Sequence, residues 1–256
     1  MKAKHLVILI TACLLQFSAN AQAVKYTVKP ATIMKNYDSF MSYYQNHLKL
    51  QENFIPYDEN LKPISKDIFF KRVMGGNVLP LRITYKGQLP EYQLYKTKPT
   101  DDIKTMLTQI AKAEYGYYKT VDHPFPKFNY TDINGKVYSS ENTKGKILIL
   151  KAWDLSCKPC IAEMPELNKI VKKYAARKDI LFVSLAADPK APLKKFAKRV
   201  KFDYAIAPVT WPYLKENLHA LGVPLHWVVN KKGVTTTMSY DYHDMLAALD
   251  KEASAN

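Results

Sequence analysis

The sequence predicts an α/β protein in which a mixed sheet flanked by helices follows a smaller α+β region. Two continuously apolar runs, residues 147–153 and 180–186, have the length and composition of fully buried strands. A further pair of strands, residues 225–230 and 234–239, is predicted to form a hairpin around Lys231-Lys232-Gly233. Because segments with helical periodicity alternate with these strands, the pattern predicts an α/β sandwich.

The first 23 residues have the three parts of a secretory signal. Lys2 and Lys4 form a basic start, residues 6–15 are an apolar run, and Ala21-Gln22-Ala23 supplies a small-x-small cleavage site. The apolar run is shorter than the roughly 20 residues that a membrane-spanning helix needs. We therefore expect residues 1–23 to be a cleaved signal peptide and the protein to be exported, in a bacterium to the periplasm.

A lipoprotein signal is the alternative interpretation of the same segment. Ile10-Thr11-Ala12-Cys13 resembles a bacterial lipobox, which would place a lipid anchor on Cys13. The short region before Cys13 and the well-placed Ala-x-Ala both favour full release instead.

The composition is that of a globular protein with a large excess of positive charge. Hydrophobic residues make up 47% and charged residues 24%, which argues against a disordered or polytopic membrane protein. Lys and Arg number 38 against 23 Asp and Glu, a formal net charge of +15. In a cytosolic protein this imbalance would suggest nucleic acid as a partner. Since the protein is expected to be exported, we predict no nucleic-acid partner and consider acidic proteins or an anionic membrane surface instead.

Residues 24–118 are predicted to form a separate α+β region whose role the sequence leaves open. Apolar periodicity and capping residues predict a helix over residues 31–50, a short helix capped by Ser65, a hairpin of residues 79–85 and 92–95, and a helix from Thr100 toward Tyr118. No segment of this region carries a motif with a known chemistry.

Residues 119–256 are predicted to form the second domain. Besides the four strands named above, the pattern predicts a helix from Cys157 through Tyr174, a helix over residues 192–200, a strand over residues 204–207, a helix over residues 212–221 and a helix over residues 241–251.

Two cysteines, Cys157 and Cys160, remain once the signal is removed. Chance would place two scattered cysteines three residues apart in only about one chain in a hundred. They follow the buried strand and begin a helix, where positions i and i+3 bring their Cβ atoms within disulfide range. An exported protein meets an oxidising compartment, so the pair is able to form a disulfide. A purely structural disulfide is the alternative, but so short a loop would stabilise the fold little.

The surroundings of this motif resemble the exported thioredoxin-like proteins of the TlpA/ResA kind. The resemblance covers residues 120–256 and is carried by Cys157-Lys158-Pro159-Cys160, Glu163-Met164-Pro165 and Gly222-Val223-Pro224. It implies a thioredoxin-like mixed sheet and thiol–disulfide exchange. It also implies a cis peptide bond at Val223-Pro224, packed against the disulfide and exposing backbone to a substrate strand. One difference concerns partner docking: the family usually has Trp just before the first cysteine, whereas here Ser156 holds that place and Trp153 lies three residues earlier.

The position of each cysteine suggests its role in exchange. Cys157 is expected at the helix start, where free N–H groups and the charge of Lys158 favour a thiolate, so it should be the attacking thiol. Cys160, one turn further and more buried, should resolve the mixed disulfide. Pro159 fits the first helical turn, where no intrahelical N–H is lost.

The remaining candidate residues depend on the resemblance and have structural alternatives. Glu163 would handle a proton near Cys160, or it is a solvated helix residue. His226 would reach the site from the strand after Pro224, or it is a packed strand residue. The predicted catalytic set is Cys157, Cys160, Glu163 and Pro224, and the predicted substrate contacts are Val223, Lys158, Pro159 and Trp153, with a core position as the alternative for Trp153.

The sequence thus favours a dithiol–disulfide oxidoreductase that acts on the thiols or disulfides of exported proteins, more as a reductant, and that needs a redox-recycling partner but no cofactor. A thiolate metal-binding or metal-delivery module is a second interpretation, although two cysteines alone make an incomplete metal site unless His226 serves as a further ligand. A non-enzymatic adaptor is a third. A peroxiredoxin-type peroxidase is disfavoured because the sequence contains no Pro-x-x-x-Thr-x-x-Cys segment.

Overall fold

The computed structural model describes residues 26–83 and 89–255. The predicted signal peptide, with Cys13 and its alternative lipobox, lies outside the described residues and stays a prediction. In the part of the chain that is described, no helix combines the length and apolarity that crossing a bilayer requires.

The N-terminal region folds around a small three-stranded sheet. Its elements are α1 (Pro30–Ile33), α2 (Tyr37–His47), β1 (Ile55–Tyr57), α3 (Lys66–Met74), β2 (Val78–Arg82), β3 (Glu91–Lys96) and α4 (Asp101–Thr120). The strands lie in the order β1-β3-β2, with β1 parallel and β2 antiparallel to β3. The pairing predicted between residues 79–85 and 92–95 is present as β2 and β3, whereas residues 84 and 85 of the predicted strand lie outside the described residues.

The core of this region is rich in aromatic side chains. Phe69 and Phe70 of α3 and Tyr92 of β3 surround Phe54, with ring centroids 5.3 to 6.0 Å from that of Phe54. All four are buried. Burial of three phenylalanines and a tyrosine stabilises a unit of this size, because each removes a large apolar area from water.

Two details of the predicted N-terminal elements are wrong. The helix predicted over residues 31–50 is divided in two, because the Asn36 side chain caps α2 by accepting the N–H of Ser39 at 2.8 Å. Strand β1 was not predicted, since three residues with Pro56 at the centre carry too short an alternation to be recognised. Ser65 caps α3 as expected, with its hydroxyl accepting the N–H of Ile68.

The C-terminal part alternates strands and helices. Its elements are β4 (Asn129–Thr131), β5 (Val137–Ser139), β6 (Ile147–Trp153), α5 (Lys158–Ala162), α6 (Met164–Lys173), β7 (Ile180–Ala186), α7 (Lys190–Ala197), β8 (Ala205–Pro208), α8 (Trp211–Asn217), β9 (Leu225–Val229), β10 (Thr235–Ser239) and α9 (Tyr242–Ser254). The β4–β5 hairpin was not predicted.

The five-stranded sheet has the order β10-β9-β6-β7-β8 and is mixed, as predicted. Strands β6, β7 and β8 are parallel, and β9 and β10 are antiparallel to their neighbours. All seven residues of β6 are buried, so both faces of the central strand are covered. Leu148 and Leu150 point to one core, whereas Ile149 and Trp153 point to the face that carries α5, α6 and α9.

The helix after the cysteine motif breaks at Glu163, as its proline predicts. Pro165 has no N–H to donate to the carbonyl of Ile161, so the helix cannot continue regularly through this turn. Two helices result, α5 and α6, and Glu163 lies at the junction between them. The break turns the Glu163 side chain toward the sheet, where it contacts β6 and β9.

Helix α4 joins the two parts of the molecule. Its first three turns place Ile103, Leu107 and Ile110 in the N-terminal core, whereas Tyr117 near its end packs on the sheet core. Gly116 allows a close approach, because a Cβ at this position would lie 3.1 Å from the Cβ of His219. The predicted boundary between residues 118 and 119 therefore falls in the last turn of this shared helix, and the division into two domains stays a prediction.

Candidate active site

The two cysteines of the motif form a disulfide at the start of α5. Cys157 and Cys160 are bonded, with their Cα atoms 5.3 Å apart. Cys157 is the N-cap residue of α5, and its sulfur accepts the backbone N–H of Cys160 at 3.2 Å. Cys160 is completely buried, whereas Cys157 is half-exposed. Of the two cysteines, only Cys157 is therefore partly accessible from solvent, and a backbone N–H is aimed at its sulfur.

Two aspartates hold the loop between β6 and the disulfide. The carboxylate of Asp154 accepts the backbone N–H and the hydroxyl of Ser156 at 2.8 and 2.6 Å. The carboxylate of Asp188 accepts the N–H of Leu155 at 2.8 Å. Because these bonds satisfy the backbone N–H groups of the loop, the short connection holds Cys157 in a fixed position beyond the C-terminal end of β6.

The loop before β9 borders the disulfide from the opposite side. The peptide bond between Val223 and Pro224 is cis, as the resemblance implies. Val223 is half-buried and packs against the cluster that contains Cys157 and Cys160. The sequence-predicted residues Cys157, Cys160, Val223 and Pro224 are thus brought together from two distant segments of the chain.

A buried ionic network lies beside the disulfide helix. The Glu163 carboxylate accepts a hydrogen bond from the Lys151 ammonium and a second from His226 Nε2 at 3.1 Å. Lys151 and His226 are opposite each other on β6 and β9, so their side chains share one face of the sheet. Both are fully buried, and the Glu163 side chain is 11% exposed.

The charges of this network follow from its surroundings. Burial by itself would raise the pKa of Glu163, but the hydrogen bond and charge of its two partners hold that pKa below its ordinary value. Burial lowers the pKa of His226, so the ring is neutral at neutral pH and donates its Nε2–H to Glu163. Burial also lowers the pKa of Lys151, against the attraction of Glu163. The buried unit is therefore a Lys151–Glu163 ion pair completed by a neutral histidine.

Lys151 is the functional candidate that sequence reasoning missed. It is the single charged residue in the run Ile147-Leu148-Ile149-Leu150-Lys151-Ala152-Trp153. A lysine in the middle of a strand predicted to be buried on both faces needs a buried partner, because an unpaired buried charge is very costly. That conflict was the available signal, and Glu163 and His226 resolve it.

Trp153 does not have the predicted role of a substrate contact. The side chain is fully buried, and its ring packs on Phe196 at 5.2 Å and on Phe202 at 6.0 Å between centroids. The prediction is corrected: Trp153 is a core residue beneath the disulfide. Strand β6 is covered on both sides and all seven of its residues are buried, so the Trp153 side chain cannot reach the surface.

Lys158 and Pro159 are exposed on the loop-facing side of α5, where a partner can reach them. Their predicted role as substrate contacts stays a prediction.

The residues beside the disulfide do not extend it into a metal site. His226, the residue considered as a third ligand, is fully buried and uses its Nε2 atom on Glu163. Within residues 26–83 and 89–255, no three His, Cys, Asp or Glu side chains are grouped so that they could hold a metal ion.

A family comparison agrees with this architecture. The sequence profile of the AhpC/TSA family matches residues 121–238, which begin at the end of α4 and include β4 to β10. The matched segment contains the disulfide, the cis proline and all three residues of the buried ionic network.

Two relatives illustrate the similarity of this chain to curated sequences. The thioredoxin-like protein YneN of Bacillus subtilis is 25% identical over 170 residues, which cover 64% of this chain and 86% of that protein. The thiol-disulfide oxidoreductase ResA of Bacillus thuringiensis is 29% identical over 109 residues, covering 42% of this chain and 62% of ResA. The alignment thus spans less than two thirds of this ResA.

Two solved structures each match about half of this chain. The thioredoxin domain of a thiol-disulfide oxidoreductase from Bacteroides vulgatus covers 52% of this chain and 96% of its own, with 20% identity and a TM-score of 0.46. A thioredoxin-family thiol:disulfide interchange protein from Chlorobium tepidum covers 51% and 96%, with 23% identity and a TM-score of 0.45. The C-terminal half of this chain thus has a thioredoxin-like fold, and its sequence is similar to thiol-disulfide oxidoreductases.

Proposed function

We propose that this protein is a thiol–disulfide oxidoreductase that reduces disulfides of exported proteins through Cys157 and Cys160. The single observation that supports this most is the Cys157–Cys160 disulfide at a helix start, with Cys157 half-buried and Cys160 completely buried. A structural disulfide gains nothing from such a placement, whereas exchange requires one sulfur to be accessible and the other to be protected.

The reaction begins from the dithiol form. The Cys157 thiolate attacks one sulfur of the partner's disulfide, that bond breaks, and the departing partner sulfur takes up a proton. Cys160 then loses its proton and attacks Cys157 Sγ, which breaks the mixed disulfide and releases the second partner sulfur. In total, two electrons and two protons pass to the partner, and the Cys157–Cys160 disulfide forms.

Cys157 is the attacking thiol in this proposal. The Cys160 N–H that points at its sulfur stabilises a thiolate, and its partial exposure allows contact with another protein. The neighbouring Lys158 adds positive charge on the exposed side.

Glu163 takes the proton of Cys160 in the resolving step. It lies one helical turn after Cys160 and is held as a carboxylate by Lys151 and His226. Lys151 and His226 act through Glu163 and are positioning residues.

The proposed setting is the periplasm, reached through the predicted signal peptide, where a recycling partner must return electrons to Cys157 and Cys160 by a further exchange. A metal-delivery role and a non-enzymatic adaptor role have no observation in their favour and are not proposed.

Two measurements on the protein test this function. In the first, the reduced protein should reduce insulin disulfides, and a glutathione titration should show one two-electron couple. In the second, alkylation of the reduced protein at mildly acidic pH should label Cys157 before Cys160, because only the first thiol is both accessible and stabilised as a thiolate. Equal labelling would contradict the assignment of the nucleophile, and failure to reduce insulin would contradict the function.

A further inference from the structure

A cleft of about 660 Å³ borders the disulfide on the side of Pro159 and Pro224. One wall belongs to the thioredoxin-like domain and comes from the cis-proline loop, the end of β10 and the start of α9. The opposite wall comes from the N-terminal region and consists of Gln51 together with Ala113 and Tyr117 of α4. The N-terminal region therefore supplies three of the thirteen residues that line this cleft.

The charge of the cleft is opposite to that of the chain. Its lining includes the carboxylates of Glu163, Asp241 and Asp244, and none of its described lining residues is Lys, Arg or His. The whole chain has 38 Lys and Arg against 23 Asp and Glu, so an acidic cleft is not a consequence of composition.

Two of the three carboxylates carry negative charge that a ligand can reach. Lys151 neutralises Glu163, but Asp241 and Asp244 are exposed at the start of α9. The backbone N–H of His243, and then its imidazole with Nδ1 at 2.7 Å from the carboxylate, lower the pKa of Asp241 and keep it ionised. The nearest hydroxyl, that of Ser239, donates to Asp244 without cancelling its charge.

Exposed apolar and aromatic side chains lie near Asp241 and Asp244 and in the cis-proline loop. Tyr240 is 48% exposed and lies in the cleft lining, and Leu221 of the cis-proline loop is 45% exposed. Tyr240 rests against that loop, since a Cβ on Gly222 would lie 3.9 Å from its ring. Exposed tyrosine and leucine beside a reactive site are typical of a surface that another protein covers.

We propose that this cleft binds an extended polypeptide segment of the partner, with basic side chains next to the cysteine that Cys157 attacks. The basic side chains would meet Asp241 and Asp244, and an apolar side chain would lie between Tyr117 and Tyr240. The N-terminal region is then a specificity element, because it supplies the wall that a free thioredoxin-like domain lacks. This inference rests on the proposed exchange function and adds the chemistry of the partner.

The test uses the reduced full chain and three peptides that share one internal disulfide and differ only in the residues flanking it, which are lysine, glutamine or glutamate. Each rate constant is divided by the rate constant for reduction of the same peptide by dithiothreitol, which corrects for the intrinsic reactivity of the disulfide. Bis(2-hydroxyethyl) disulfide serves as a small uncharged substrate that needs no cleft.

We expect the normalised rate for the lysine peptide to exceed that for the glutamate peptide about tenfold at low ionic strength, with glutamine between them. The ratio should fall toward one in 0.5 M salt, about five times the ionic strength at which the Debye length is already about 10 Å. Asp241→Asn with Asp244→Asn should reduce the ratio at least about threefold. Asparagine retains the N-cap of α9, so this variant tests charge more than folding.

A matched control removes two carboxylates that lie outside the cleft. Glu141→Gln with Glu216→Gln should keep the ratio of the unchanged protein, since both side chains are exposed and neither lines the cleft. If the protein reduces the small disulfide but handles the three peptides equally, the inference is wrong and the exchange function stands. If it reduces neither the small disulfide nor the peptides, the proposed function itself is overturned.

Discussion

Glu114 of the N-terminal region and Glu163 of the thioredoxin-like domain are two largely buried glutamates whose surroundings have opposite effects on their pKa. Glu114 of α4 is bonded by the Tyr44 hydroxyl at 3.3 Å and the Gln51 amide at 3.5 Å, neither of which carries a charge. Burial therefore raises the pKa of Glu114 to about 6. Glu163 is bonded by a buried lysine and a buried histidine, and its pKa is lowered.

The difference shows that burial alone does not decide the state of a buried acid. Without a cation, desolvation favours the protonated form, as for Glu114; with Lys151 in contact, the ionised form is favoured, as for Glu163. The thioredoxin-like domain thus keeps a carboxylate ionised beside its disulfide, whereas the N-terminal region holds an acid that accepts a proton near neutral pH. The former lies one helical turn after Cys160, whereas the latter lies in α4 and is bonded by Tyr44 and Gln51.

Removing the cation of the redox network should have the largest effect. Lys151→Met leaves Glu163 buried without a positive charge, and we expect a loss of about 3–5 kcal/mol in the free energy of unfolding at pH 7. The pKa of Glu163 should then rise, so the variant should regain stability as the pH is lowered. Urea unfolding at pH 5 and 7 measures both effects.

Two controls separate the buried charge from lost packing. Lys158→Met removes a lysine from an exposed position of the same site and should change the unfolding free energy by less than about 0.5 kcal/mol. The double variant Lys151→Met with Glu163→Gln should recover much of the lost stability, since no unpaired charge remains. If Lys151→Met loses less than about 1 kcal/mol in the free energy of unfolding, the buried Glu163 carboxylate does not depend on this cation.

The two glutamates should make opposite contributions to the pH dependence of stability. Glu114 has a raised pKa, so the folded state binds its proton more tightly and this contribution falls by about 2 kcal/mol as the pH rises from about 4.5 to 6. Glu163 has a lowered pKa, so its contribution is present above its ordinary pKa and is lost as the pH falls. Glu114→Gln should remove the contribution of Glu114 to the pH dependence of stability, and Glu163→Gln should remove that of Glu163.

Unfolding free energies of the protein and both variants at several pH values between 4 and 7 measure these contributions. Relative to the unaltered protein, the slope of the unfolding free energy against pH should change in one direction for Glu114→Gln and in the opposite direction for Glu163→Gln. A change in the same direction for both variants would show that the two glutamates do not make opposite contributions.

The independence of the two cores can be tested by shortening the chain. A chain that begins at Lys119 retains β4 to β10, the disulfide and the buried network, so it should unfold cooperatively and reduce a small disulfide. It should be about 1–2 kcal/mol less stable than the thioredoxin-like domain in the full chain, because it loses the packing of Tyr117. A non-cooperative thermal transition would show that α4 makes one core of both regions.

The smallest effect is expected where a lysine is exposed. Lys158→Glu reverses a charge beside Cys157, which should make the protein slightly more reducing, because a thiolate next to a carboxylate is less stable. Screening by solvent should keep the shift within about 30 mV, a tenfold change in the exchange equilibrium. A glutathione titration measures it, and a higher potential in the variant would show that the charge at this position does not act through the thiolate.

The sequence predicted the thioredoxin-like domain well because its signals are local. The apolar run of β6, the Cys157-Lys158-Pro159-Cys160 motif and the proline that breaks the following helix each act on their own few residues. The mixed sheet, the disulfide and the cis bond at Pro224 are present as expected.

The features that sequence reasoning missed depend on contacts between distant segments. Lys151 and His226 are 75 positions apart and meet only because β6 and β9 are antiparallel neighbours. The cleft wall formed by Gln51 and Tyr117 depends on how α4 lies across the domain, which no local pattern encodes. Trp153 was partly misjudged for the same reason, since its position beside the motif in sequence does not reveal that it points inward.

The central claim, that Cys157 is the exchanging sulfur and Cys160 the resolving one, is tested most directly by trapping the mixed disulfide. Reduced Cys160→Ala and Cys157→Ala variants are each incubated with insulin and separated without reductant, and the adducts are mapped by mass spectrometry. The account predicts a covalent adduct through Cys157 in the Cys160→Ala variant and none in the Cys157→Ala variant. Adducts of equal yield through Cys160 in the Cys157→Ala variant would contradict it.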